Sequence, residues 1–182
     1  MVLLNSSSCN FDWQPNNFQF TDLKGKKGSF YESFGINGLL VMFICNHCPY
    51  VRAIEAKIAI ETQRLNGLNV NTIAFMSNDQ NSYEEDQDKF LLEQISRAKF
   101  EFNYIVDVSQ SIAKTFDAKC TPEFYYFNIN KKLKYRGRLD SNGKDSSMGK
   151  PELYSAVEEI IAKGYCSSHQ YPSLGCSIKW KN

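Results

Sequence analysis

The residues Leu39 to Ile44 form an unbroken apolar run, set off by Gly38 and emptying directly into Cys45-Asn46-His47-Cys48-Pro49-Tyr50. Such a short run without polar alternation fits a strand buried on both faces, and the helical pattern behind it places Cys45 and Cys48 at a strand-to-helix turn. Two thiols three positions apart then meet the first turn of a helix, where unpaired backbone N–H groups and the dipole favour thiolate over thiol. His47 lies between them and can carry positive charge near neutral pH. The expectation is a Cys45 thiol drawn from about 8.5 into the range of about 3.5 to 7.5 that marks reactive cysteines. The same four residues could be half of a zinc site or two inert core cysteines. Structural zinc needs four ligands and the chain has no second Cys-x-x-Cys, while the polar Asn46-His47 and the following Pro49 suit a helix mouth near solvent. Redox chemistry is the reading these residues favour, with no metal and no cofactor implied.

With 182 residues, 42% of them hydrophobic, the chain can bury one good core, so a single domain over 1–182 is expected. The formal net charge is +1, and no long block of one sign recommends a nucleic acid or an anionic membrane as partner. The apolar run is far short of the roughly 20 residues that a spanning helix needs, which argues against a membrane protein. Residues 1–8 lack the basic start and the length of a signal peptide, so a cytoplasmic location is the expectation. Six cysteines, at positions 9, 45, 48, 120, 166 and 176, are too few for a disulfide scaffold at this length.

Along the chain, residues 1–17 read as an arm without period, and Phe18 to Tyr31 as an aromatic hairpin around two glycines. After the Cys-x-x-Cys, Val51, Ile54, Ile58 and Leu65 recur at helical spacing, and Arg52, Glu55, Lys57, Glu61 and Arg64 are expected on the opposite, solvated face. Pro49 is tolerable at the start of this helix because the first N–H groups have no intrahelical partner to lose. Thr72 to Met76 predicts a second buried strand, parallel to the first through a β-α-β crossover. Ser82-x-x-Glu85 predicts a capping box opening a helix that runs to about Arg97, and Ser109 predicts the cap of a short helix after a strand at Tyr104 to Val106. Cys120-Thr121-Pro122 precedes an aromatic strand, Phe124 to Phe127, where the proline is either a cis turn or an ordinary trans strand start. A hairpin through Lys132 to Arg138, a polar loop, a helix from Pro151 to Gly164 and a tail over 165–182 complete the chain.

Four phrases carry a family likeness: Cys45-Asn46-His47-Cys48-Pro49-Tyr50-Val51, Cys120-Thr121-Pro122-Glu123-Phe124, Tyr135-Arg136-Gly137-Arg138 and Gly175-Cys176-Ser177-Ile178-Lys179-Trp180. In this order they resemble a peroxiredoxin-like (AhpC/TSA-related) family of thioredoxin-like proteins. The resemblance implies a thioredoxin-like fold, α/β, with a central mixed β-sheet flanked by helices, an N-terminal β-hairpin extension and a C-terminal tail. Pro122 would be that fold's cis-proline beside the dithiol, and Thr121 would offer backbone groups to a partner. Aligned through Cys-Pro, Cys48 takes the position of the peroxidatic cysteine, and Cys45 stands where true peroxiredoxins have a threonine. Besides Arg52, Arg64 and Arg97, all on expected helices, no arginine separates Cys48 from Pro122.

A vicinal dithiol suits thiol-disulfide exchange with a protein dithiol or disulfide, with Cys45 attacking and Cys48 resolving. His47, by stabilising the thiolate, should make the pair less reducing than about −270 mV. Reduction of a small hydroperoxide through Cys48 or Cys45 is the second reading, and a redox-inactive or zinc-holding module the third. Cys120 is either a third redox partner or a packing residue. Cys166-x-x-His169 with Cys176 has metal-like spacing, against which stands a simple solvated tail. A resolving role for Cys176 is the alternative, since Ile178 and Trp180 look built to dock. A monomer or a homodimer fits equally.

Overall fold

The computed structural model describes residues 2–181; Met1 and Asn182, the outer residues of the arm and tail, lie outside the described residues. The apolar run becomes strand β4 (Gly38–Phe43), every residue of it buried, after β1 (Leu3–Asn5), β2 (Gln19–Thr21) and β3 (Lys27–Ser29). Then follow α1 (Pro49–Gly67), β5 (Val70–Met76), α2 (Asp88–Ala98), β6 (Asn103–Val106) and α3 (Ser111–Thr115). The chain continues through β7 (Cys120–Thr121), β8 (Glu123–Phe127), β9 (Leu133–Gly137), α4 (Glu152–Lys163) and β10 (Leu174–Ser177).

The main sheet has the order β6-β5-β4-β8-β9, parallel across β6, β5 and β4 and antiparallel from β4 to β8 and β9. It is the central mixed sheet of a thioredoxin-like fold. Because side chains alternate across a strand, β4 feeds two cores. Leu40, Met42 and Ile44 pack with Val51 and Ile58 of α1, Leu91 of α2 and Val157 of α4. Leu39, Val41 and Phe43 face Phe30, Phe75 and Phe116 on the other side, where aromatic rings of the N-terminal hairpin and the segment after α3 meet edge to face. The site therefore stands at the carboxyl end of the strand most deeply committed to both cores.

Four expectations need correction. The tail is structured: β10 pairs with β7 and with β1 of the arm, in a three-stranded antiparallel sheet of its own. The tail is thus docked rather than solvated, because its backbone groups find partners on both sides. Secondly, α1 has no wholly solvated polar face. Glu55, Lys57 and Glu61 are buried; Lys57 Nζ is 2.8 Å from Asp140 Oδ2 and donates to the carbonyls of Gly143 and Ser147, so the loop after β9 closes over this cation. Thirdly, α2 begins at Asp88, not at a Ser82 capping box. Ser82 Oγ bonds Asp79, and a 3-10 turn at Glu84–Asp86 carries Asp86 inward instead. Fourthly, the amides at the start of α3 are held mainly by Asp107, which accepts from Ile112 and Ala113, while Ser109 reaches Ser111. Pro151 precedes α4, and Gly164 caps its end at φ +84°, a conformation open to glycine at little cost.

Candidate active site

Strand β4 ends and α1 begins across four residues, so Cys45 to Cys48 form a turn whose backbone must be satisfied from outside. Asp86, fully buried, does this. Its Oδ1 accepts the amides of Asn46 and His47 at 2.8 and 3.0 Å, and its Oδ2 faces His47 Nδ1 at 2.5 Å and accepts from Asn78 Nδ2 at 2.9 Å. Burial opposes the charge on Asp86, but the bond and charge of His47, with Asn78 and the backbone amide, hold its carboxyl below the usual range. The His47 ring also stacks on Tyr83, centroid to centroid 4.6 Å. From the other side Arg97 donates to Asn46 Oδ1, Arg52 to the Asn46 carbonyl, and Gln94 to the Cys45 carbonyl.

Both sulfurs of the motif are buried, and they differ in what they meet. Cys48 is the N-cap of α1, with Pro49 at the first helical position. Its Sγ lies 2.9 Å from Cys176 Sγ and 3.2 Å from the Thr121 carbonyl oxygen. Cys45 Sγ lies 3.3 Å from Thr121 Oγ1. The Cys48 thiol is pulled from 9.0 down to about 5: a hydrogen bond from Cys45 comes first, burial works against it, and Cys176, the Val51 amide and Thr121 add to the lowering. Cys45 moves the other way, raised by burial, by its bond to Cys48 and by the negative charge of Asp86. This reverses the expectation that the first cysteine carries the lowered pKa. The cause is local. His47 turns to Asp86 instead of serving as the thiols' positive neighbour, while Cys48 is bonded by Cys45 and by the Val51 amide.

Thr121-Pro122 is a cis peptide bond, and β7 lays Thr121 against the dithiol. Along the strand its neighbour Cys120 points elsewhere: its Sγ is 4.0 Å from the Pro122 carbonyl and 3.9 Å from the Ser173 carbonyl, and burial raises its thiol. Cys176 pairs with Thr121 in register, fully buried. Cys166 and His169 do not join the group; the Cys166 thiol meets the Ser168 carbonyl, and His169 lies edge-on to Tyr171. Cys45 Sγ, a ring nitrogen of His47 and an Asp86 oxygen do lie within 4.8 Å of one another, a spacing a metal ion could use. Four hydrogen-bonding contacts already occupy that carboxylate, so its evident work is holding the turn. Asp86 and Tyr83 escaped the sequence reading because they sit in a loop about forty positions away with no local pattern.

Residues 14–136, more than half the chain, match the model of the AhpC/TSA family. The chain belongs to the AhpC/TSA family. Two solved structures resemble this AhpC/TSA protein from end to end. An uncharacterised conserved protein from Geobacillus kaustophilus is 30% identical with a TM-score of 0.92, covering 100% of this chain and 97% of that one. A hypothetical protein from Sinorhizobium meliloti 1021 is also 30% identical, with a TM-score of 0.88, covering 97% and 98%. A secreted Mycobacterium tuberculosis disulfide oxidoreductase homologous to Escherichia coli DsbE shares the fold at 14% identity, TM-score 0.60, over 78% of this chain and 94% of its own. None of the curated proteins compared with it matches. Family and fold together make this an oxidoreductase of the thioredoxin superfamily in general terms.

Proposed function

We propose that this AhpC/TSA protein is a thiol-disulfide oxidoreductase in which Cys48 is the nucleophile and Cys45 the resolving thiol. The observation that carries it is the unequal setting of the two sulfurs: Cys48 at the N-terminus of α1 with its thiol lowered to about 5, Cys45 sealed beside Asp86 with its thiol raised. In exchange, the Cys48 thiolate attacks a disulfide sulfur and expels one thiolate; Cys45 then loses its proton, attacks Cys48 and expels the second. Asn46, His47 and Asp86 hold the turn, and Thr121 and cis-Pro122 shape the face a partner meets. A protein dithiol or disulfide is the expected partner, and the cytoplasm, where thiol pools keep such pairs reduced, the expected setting.

A second reading, thiol peroxidase, is favoured by one fact: the lowered thiol is Cys48, the position that the family likeness marks as peroxidatic. Against it, Arg52 and Arg97 are engaged by Asn46, Glu55 and Glu85, and Arg136 by Glu123. Single-turnover reduction of oxidised glutathione and insulin, beside hydrogen peroxide, tests the choice. Rapid disulfide reduction lost in Cys48→Ser, with peroxide consumed only at the rate of an ordinary thiol, is expected. Fast peroxide loss with disulfides untouched would replace this reading by the second.

A further inference from the structure

The tail strand brings a third sulfur, that of Cys176, to within 2.9 Å of the nucleophile. We propose that Cys176 resolves adducts formed on Cys48, closing a Cys48–Cys176 disulfide without the participation of Cys45. The proposal rests on Cys48 being the nucleophile and adds a second resolving thiol, a route parallel to that through Cys45.

Geometry carries it first. The two sulfurs stand 2.9 Å apart, so a shift of about 0.9 Å brings them to the length of a disulfide bond. The position of Cys176 is built rather than incidental. The Lys179 amide donates to Asn78 Oδ1, the Asp79 amide to the Lys179 carbonyl, the Ser177 amide to the Val2 carbonyl and the Ile178 amide to the Lys119 carbonyl, so the chain is fixed immediately after the cysteine. Gly175 permits the approach: a Cβ there would lie 2.0 Å from the Thr121 carbonyl oxygen and 2.6 Å from its carbon. The edge of β7 beside cis-Pro122 is where an extended partner segment could pair by strand addition, and the chain's own strand occupies it. Cys176 therefore stands where a partner's sulfur would have to stand to be joined to Cys48.

The chemistry agrees with the geometry. Burial raises the Cys176 thiol first, then its bond to Cys48 and the charge there, to about 12, while Lys179 and the Tyr50 amide lower it. Once Cys48 is tied up in an adduct its charge is gone, while the lowering influence of Lys179 and the Tyr50 amide stays. Cys45 keeps the opposing charge of Asp86 throughout.

For an external disulfide RS–SR′, the Cys48 thiolate attacks one sulfur and R′S⁻ leaves, taking up a proton. The Cys176 thiolate, its proton passed to solvent, attacks Cys48 and expels RS⁻, which is protonated in turn. Two protein thiols become one disulfide, and the external disulfide becomes two thiols.

Reduced full-length protein mixed with oxidised glutathione, quenched by alkylation and mapped by mass after chymotrypsin, tests this, since cleavage after Leu174 separates Cys166 from Cys176. In Cys45→Ser the Cys48–glutathione adduct is expected to be transient, replaced by a Cys48–Cys176 link. In Cys45→Ser/Cys176→Ser it should persist at least roughly tenfold longer, the advantage of a thiol already oriented having gone. Cys45→Ala in place of Cys45→Ser guards against an effect of the new hydroxyl beside Thr121. Equal lifetimes in the single and double variants would overturn the role of Cys176 and leave the nucleophile intact. Absence of any adduct on Cys48 would overturn both.

Discussion

At the scale of single residues, the chemistry turns on which side chain faces which. Cys45 and Cys48 were legible in the sequence because their spacing and the apolar run before them leave few alternatives. The unequal settings of their sulfurs were not, since they depend in part on Asp86, which follows directly on the Ser82-x-x-Glu85 pattern. The acidic run Glu84-Glu85-Asp86 follows Ser82 at capping distance, yet tertiary demand for an acceptor at the Cys45–Cys48 turn overrides that local preference. Asp86→Asn should therefore loosen the turn, destabilising the protein by about 1–3 kcal/mol at neutral pH because donors are left poorly matched. The sign of its pH dependence is fixed by the lowered carboxyl: its contribution is present above the ordinary aspartate value of 3.8 and lost as pH falls through the folded one. Chemical denaturation at neutral and acid pH should show this acid-side loss in wild type and its reduction in the variant.

At the scale of elements, the periodic segments were readable and the pairings at the chain's ends were not. Helix α1 was evident from its apolar spacing, but Lys57 and Glu61 were placed with solvent, because helical spacing alone does not reveal that the loop from Asp140 to Ser147 folds over them. Strand β10 is short and contains Gly175-Cys176, so nothing in its own composition announces a strand. Its partners, β1 and β7, supply the reason. Gly175→Ala should lift β10 from Thr121, since the new methyl would meet backbone rather than a yielding side chain. Alkylation of Cys48 by iodoacetamide is then expected to speed up several-fold over wild type, and an unchanged rate would show that β10 does not shield the sulfur.

At the scale of the whole molecule, the fold brings three separate pieces to one atom. The sheet delivers the N-terminus of α1, the β7 turn delivers Thr121 with its cis-proline neighbour, and the tail delivers Cys176, all around Cys48 Sγ. The overall architecture was foreseeable from the order of elements and the four family-like phrases, whereas the three-piece convergence depends on distances that no single segment encodes. The most direct measurement is the ultraviolet absorbance of thiolate in the reduced protein as a function of pH, wild type beside Cys48→Ser. One thiolate titrating with an apparent pKa of about 5 and missing from Cys48→Ser is the predicted result. Loss of the low-pH thiolate in Cys45→Ser but not in Cys48→Ser, or thiolate forming only in the range of ordinary cysteines near 9.0, would contradict the account.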